Sequence, residues 1–208
     1  MSGNVYQASA PHGANHHNAA STKTLTGVAI LGAVVVVLTI LCNYVKFGPF
    51  SITLALAPII IGAAVYGVKS GAILGFVFSL VVAITGALGM DGGTVLYLMS
   101  QNAVATIAII LLKGTLAGWL SGLCYYWLKD RNQFAAVLVA GIVCPVVNTG
   151  LFLAGMFTFF YSTLTAWTGT NAVISIIAAM TGINFLIELA VNIVLSSTIV
   201  RIIRAAKR

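Results

Sequence analysis

Two ionisable side chains, Lys113 and Glu188, fall inside long apolar runs of this 208-residue sequence, while its other charges lie between or beyond such runs. A charge in hydrocarbon costs about 2.5–3.5 kcal/mol on insertion scales, so it marks a ligand, a pathway or a partner charge. Glu188 shares an i+4 row with Asn184, Asn192 and Ser196, and in a helix that row forms one ridge, which must face protein or a cavity. A further polar cluster lies in Cys144-Pro145-Val146-Val147-Asn148-Thr149-Gly150-Leu151-Phe152. There a proline breaks the backbone ladder, and an amide and a hydroxyl are tolerable only against protein or a cavity. These groups line something, and a cavity open to the outside could collect Lys113, Asn148 and Glu188. Two readings of the charges stay open. Lys113 and Glu188 neutralise each other as a structural pair, or Lys113 meets a negative group of the ligand.

Nothing in the sequence supports catalysis. No histidine lies in an apolar run, Glu188 has no second carboxylate near it, and neither a nucleophile elbow nor a phosphate loop is present. An ATP-driven process would need a separate subunit, and no cofactor or metal is expected in this chain. Cys42, Cys124 and Cys144 sit in hydrophobic segments without paired spacing, which suits packing rather than a disulfide or thiolate site. His12, His16 and His17 belong to a polar stretch, residues 1–22, read as a flexible cytoplasmic tail. That stretch does not read as a signal peptide, because the apolar run after it is too long for an h-region.

The elements that must position these groups are membrane spans. Hydrophobic residues make up 60% of the chain and charged residues 6%, and the mean hydropathy is +1.08, too little polar surface to cover a soluble domain. The net charge of +7 does not indicate nucleic acid, since the basic residues are scattered at the ends of apolar runs. An all-α fold is expected: a polytopic bundle of six transmembrane helices over residues 23–208, in the cell membrane. The spans run over 24–45, 52–66 with a kink at Pro58, 72–88, 102–128, 134–160 and 182–200. Polar connections at 90–101 and 161–181 lie between them, the second carrying Trp167. Gly114, Gly118 and Gly122 leave one face of the fourth span nearly bare, so it must pack tightly, and Gly71 and Gly75 repeat the spacing. At 1.5 Å per residue, Glu188 lies about 9 Å, Lys113 about 16 Å and Asn148 about 15–20 Å below the outer ends of these spans.

Basic residues set the orientation. With both termini inside, the inner side collects Lys23, Lys69, Lys129, Arg131, Arg201, Arg204, Lys207 and Arg208, and the outer side only Lys46. Ala29-x-x-x-Ala33 on the first span, with Gly32 beside it, makes a shallow groove for a close helix contact, either within the chain or with a partner.

The six spans, both ends inside, Ala29-x-x-x-Ala33 and Asn148-Thr149-x-x-Phe152 together resemble the substrate-binding S-components of energy-coupling factor (ECF) vitamin transporters. The likeness covers roughly residues 24–204. It implies a vitamin or precursor bound in an outward-facing pocket of the later helices and outer loops. It also implies transport with a transmembrane coupling subunit and two ATPase subunits, docked at Ala29 and Ala33. Lys113, Asn148, Thr149, Phe152, Asn184, Glu188 and Asn192, with Tyr97 and Gln101 from the outer connection, are the candidate substrate contacts. Within the family the chain looks most like the pantothenate-type members, with folate, riboflavin and hydroxymethylpyrimidine as alternatives. A self-sufficient proton- or cation-coupled secondary transporter, with Glu188 as its ion site, is the competing class; an inverted repeat would favour it, and residues 24–89 and 102–204 show no convincing match.

Overall fold

Runs of apolar residues with no water to satisfy their backbone must close hydrogen bonds within each segment, and the chain does so as helices. The computed structural model describes residues 14–44, 46, 47, 50, 51 and 54–206, with backbone alone at 14–21, 46, 47, 50, 51, 176, 179–184 and 206. The elements are α1 (Ala14–Cys42), the two-residue antiparallel strands β1 (Lys46–Phe47) and β2 (Phe50–Ser51), α2 (Leu56–Tyr66), α3 (Val68–Ala87), α4 (Thr94–Leu128), α5 (Gln133–Phe159), α6 (Tyr161–Thr168) and α7 (Val173–Ala206). Thr22–Cys42 of α1, α3, α4, α5 and Phe185–Ala205 of α7 are long and apolar enough to cross a membrane. The protein is therefore a helical, multi-pass membrane protein. Helix α1 runs back to Ala14, inside the stretch read as a tail, and residues 1–13, including His12, lie outside the described residues.

The expected second span is different. Helix α2 has 11 residues, about 16 Å, too short to cross hydrocarbon by itself. Pro58 does not kink it; the proline occupies the first turn, where its missing N–H has no intrahelical partner to lose. Leu56, Ala57, Ile59, Ile60, Ala63 and Ala64 are all buried, and α2 packs against α1, α3, α4, α5 and α7. A helix apolar on every side belongs inside the bundle. Around it gather Val35 of α1, Leu74 and Phe78 of α3, Ala117 and Tyr125 of α4, Ala140 and Cys144 of α5, and Ile199 and Ile203 of α7.

Two connections expected to be irregular are largely helical. Helix α4 starts at Thr94, capped by the Asp91 carboxylate, which accepts from the Gly93 and Val95 N–H groups at 3.0 and 2.8 Å. It breaks at Asn102 (φ −154°, ψ 91°), whose side-chain oxygen accepts from Ala105 N–H at 3.0 Å and so caps a second helical segment. The span expected from 102 thus begins at a real discontinuity. Residues 161–168 form α6, and α7 begins at Val173 rather than near 182. Short polar side chains there bond their own turn, as Thr168 Oγ1 does to Leu164 O at 2.8 Å, so polarity did not mean irregular backbone.

The glycine face of α4 packs as its spacing requires. A Cβ on Gly71 of α3 would lie 2.6 Å from the Gly118 carbonyl, and one on Gly118 would strike the Gly71 carbonyl; Gly75 and Gly114 form a second such pair. Two helix backbones are in direct contact along this seam, and no side chain fits between them. Gly118→Val should lower thermal stability in detergent by about 1–3 kcal/mol or more, the usual cost of overpacking. Gly150→Ala is the control, since nothing lies within 4 Å of a Cβ there. Equal melting of the two variants would refute the seam.

Candidate ligand-binding site

Helices α4 and α5 run antiparallel and meet in constant register. Ile109 touches the Cβ direction of Gly155, the Lys113 Nζ lies 4.8 Å from the centroid of the Phe152 ring, and the side chains of Ser121 and Cys144 are hydrogen-bonded. Each step of about four residues along α4 answers an equal step back along α5, because i+4 neighbours share a helix face. That register puts Ala117 opposite Asn148. Helix α7 closes the third side: a Cβ on Gly141 of α5 would lie 3.6 Å from the Asn192 Cβ and 3.6 Å from the Ser196 Oγ. Pro145 cannot donate to Gly141, so α5 lacks a ladder bond at the level where it meets Asn192.

The result is a buried polar column. Asn148, Glu188 and Asn192 are 5%, 5% and 3% exposed, and Ser196 is fully buried with its hydroxyl donating to Asn192 O at 2.8 Å. Glu188 acts electrostatically on both Lys113 and Cys144, which places its charge within reach of both. Lys113 is half-buried over the Phe152 face, where the ring quadrupole attracts an ammonium. Among the described residues, the Asn148 side-chain oxygen has no hydrogen-bond partner. A buried acceptor left unpaired costs about 1–3 kcal/mol, so it needs a reason.

Lys113, Asn148, Phe152, Glu188 and Asn192 therefore come together, with Glu188 and Asn192 one turn apart on α7. Thr149 is half-buried beside Asn148, about 100° around α5 from that row. The side chain of Asn184 lies outside the described residues, although its backbone continues α7 one turn before Glu188. With α7 starting at Val173, Glu188 sits about 22 Å along it rather than the expected 9 Å. Tyr97 and Gln101 do not join the column: they lie beyond the break at Asn102, itself about 16 Å from Lys113 along α4. They hold α6 instead. The Thr163 hydroxyl donates to Gln101 Oε1 at 3.1 Å, and the Tyr97 and Trp167 rings lie 5.7 Å apart. The sequence reading missed Ser121 and treated Cys144 as packing alone; the eight-residue spacing from Lys113 to Ser121, two steps along one ridge, was the signal available.

On α1, both Ala29 and Ala33 are exposed, flanked by exposed Ile30, Val34 and Val37. The small-residue groove is not consumed by packing within the chain, whereas neighbouring Gly32 faces Leu74 at 3.7 Å.

Comparison with known proteins bears on what such a column is for. The chain is 28% identical over 190 residues to the pantothenic acid transporter PanT of Lactococcus lactis subsp. cremoris (strain MG1363), covering 86% of this chain and 93% of that protein. The family described as "ECF transporter, substrate-specific component" matches residues 23–200. A polytopic helical bundle with an enclosed polar column, matched by that family over most of its length, belongs to the substrate-specific components of ECF transporters.

Proposed function

We propose that this subunit binds pantothenate in the α4–α5–α7 column and delivers it to an ECF module of one transmembrane coupling subunit and two ATPase subunits. The observation that carries the substrate reading is Lys113, an ammonium held over the Phe152 ring inside the bundle. Likeness to a pantothenic acid transporter supports an anionic, hydroxyl-bearing ligand, and the column offers it a cation and several amides. Family membership favours a partnered importer over a self-sufficient ion-coupled transporter, with ATP used by the partner subunits. This chain acts as a binding subunit rather than an enzyme.

Six crossings with both termini in the cytoplasm complete the proposal. The excess of basic residues at the α2–α3 and α4–α5 turns and at the α7 end supports the orientation. The coupling subunit docks on the exposed Ala29–Ala33 face of α1.

Two measurements test this. Wild type should bind pantothenate more tightly than its uncharged alcohol analogue in calorimetry, and Lys113→Met should erase the difference, at a cost of about 2–5 kcal/mol in pantothenate affinity. The apo Lys113→Met protein should melt no lower than wild type. Equal wild-type affinity for acid and alcohol would remove the counter-charge role. Separately, Ala33→Trp should abolish co-purification with the coupling subunit while pantothenate binding by the isolated chain persists, because a bulky side chain forces the helices apart. Normal complex yield from Ala33→Trp would move the docking face elsewhere.

A further inference from the structure

The column is not electrically uniform, and its order along α5 carries information about how a ligand lies in it. Taken from the α6 end inward, α5 presents Phe152 with the Lys113 ammonium over its ring, then Asn148 one turn on, then Cys144 at the level where the Glu188 charge is felt. One turn is about 5.4 Å. The column is thus cationic toward α6, with a bare acceptor one turn deeper.

Asn148 is the informative member. Its side-chain oxygen is buried and has no partner among the described residues, although Ser121 of α4 and Ser196 of α7 are buried in the same bundle. Those hydroxyls are already committed: Ser121 Oγ donates to Gly118 O at 3.1 Å and Ser196 Oγ to Asn192 O at 2.8 Å. Opposite Asn148 the α4–α5 register places Ala117, which has no donor to offer. An amide oxygen kept without a donor by its protein neighbours is suited to receive one from a ligand.

We propose that the ligand lies along α5 with its carboxylate at Lys113 and a hydroxyl or amide N–H, one helical turn deeper, donated to the Asn148 side-chain oxygen. This inference rests on the pantothenate reading and adds the ligand's direction and the residue that selects for a donor at its far end. Asn148 is then a specificity-determining contact: an anion of the same length with no donor at that position leaves the oxygen buried and unpaired, and is rejected.

The test is a ligand-by-variant cycle in calorimetry on the purified full chain. The ligands are pantothenate, its analogue lacking the secondary hydroxyl, its N-methyl amide analogue and its alcohol analogue. Wild type should bind at least one donor-deleted analogue roughly tenfold to hundredfold more weakly than pantothenate, the range expected for an unsatisfied buried acceptor. Asn148→Leu should weaken pantothenate by a similar factor and bind pantothenate and that analogue alike, while keeping the wild-type ratio of acid to alcohol, which Lys113 governs. Asn148→Ser, whose hydroxyl is too short to reach the same point, should behave as Asn148→Leu and guards against a folding defect, with melting curves run on both. If the variants discriminate against the donor-deleted analogues as wild type does, or if wild type ignores the deletions, this inference is overturned while the pantothenate assignment stands. If wild type fails to bind pantothenate at all, the proposed function itself fails, and the direction of the ligand falls with it.

Discussion

An ammonium inside a helix bundle must be answered by the protein around it, and much of this structure follows from where Lys113 stands. Hydrocarbon offers it nothing, so the charge is held over the Phe152 ring of α5 and within the field of Glu188 on α7. Both answers require α4, α5 and α7 to meet at fixed register. The register is secured on an adjoining face of α4, where Gly114 and Gly118 bring its backbone against that of α3. A contact between two backbones tolerates neither sliding nor rotation, because any shift drives a carbonyl into a neighbouring turn. The glycine seam and the polar column are thus neighbouring faces of one helix, about 100° apart, the first fixing what the second presents.

Helix α2 plays a different part. It is too short to cross hydrocarbon alone and too apolar to lie in water, so it is stable only as the interior of a ring of longer helices. In a bilayer the hydrophobic effect does not drive helices together once they are inserted, and association depends on close packing of small residues. Ala57, Ala63, Ala64 and Gly62 on α2 supply that closeness, with Gly122 of α4 3.2 Å from the Ala63 Cβ if given a side chain of its own.

The sequence made the long helices, the α4 glycine face and the shared ridge of Glu188, Asn192 and Ser196 legible, because each depends on spacing within one segment. It made the short helices illegible. A continuous apolar run such as residues 52–66 has no period to reveal where helix begins, and the threonine-rich 161–168 segment looks like a loop until its hydroxyls are seen bonded back to their own turns. The same limit explains Tyr97 and Gln101, which lie on the mouth side of the chain but face α6 rather than the column. Pairings across helices, such as Ser121 with Cys144, follow from register, and register is a property of two segments together.

The column and the exposed face of α1 are on separate helices, and this separation constrains how one can influence the other. Helix α1 packs on α2 and α3, while α4, α5 and α7 build the column and each of them contacts α2. A partner seated on Ala29 and Ala33 therefore reaches a ligand beside Lys113 through α2 or through the α3–α4 seam. The seam is backbone on backbone and transmits a displacement as a rigid unit. The α2 contact is made of closely packed apolar side chains, so a displacement of α2 is passed to the helices around it. Because Cys144 and Ala140 of α5 pack in the same core as Ile59 and Ile60 of α2, such a shift acts on α5 directly below Asn148. Helices α2 and α3 are thus the two elements that connect the exposed face of α1 to the column.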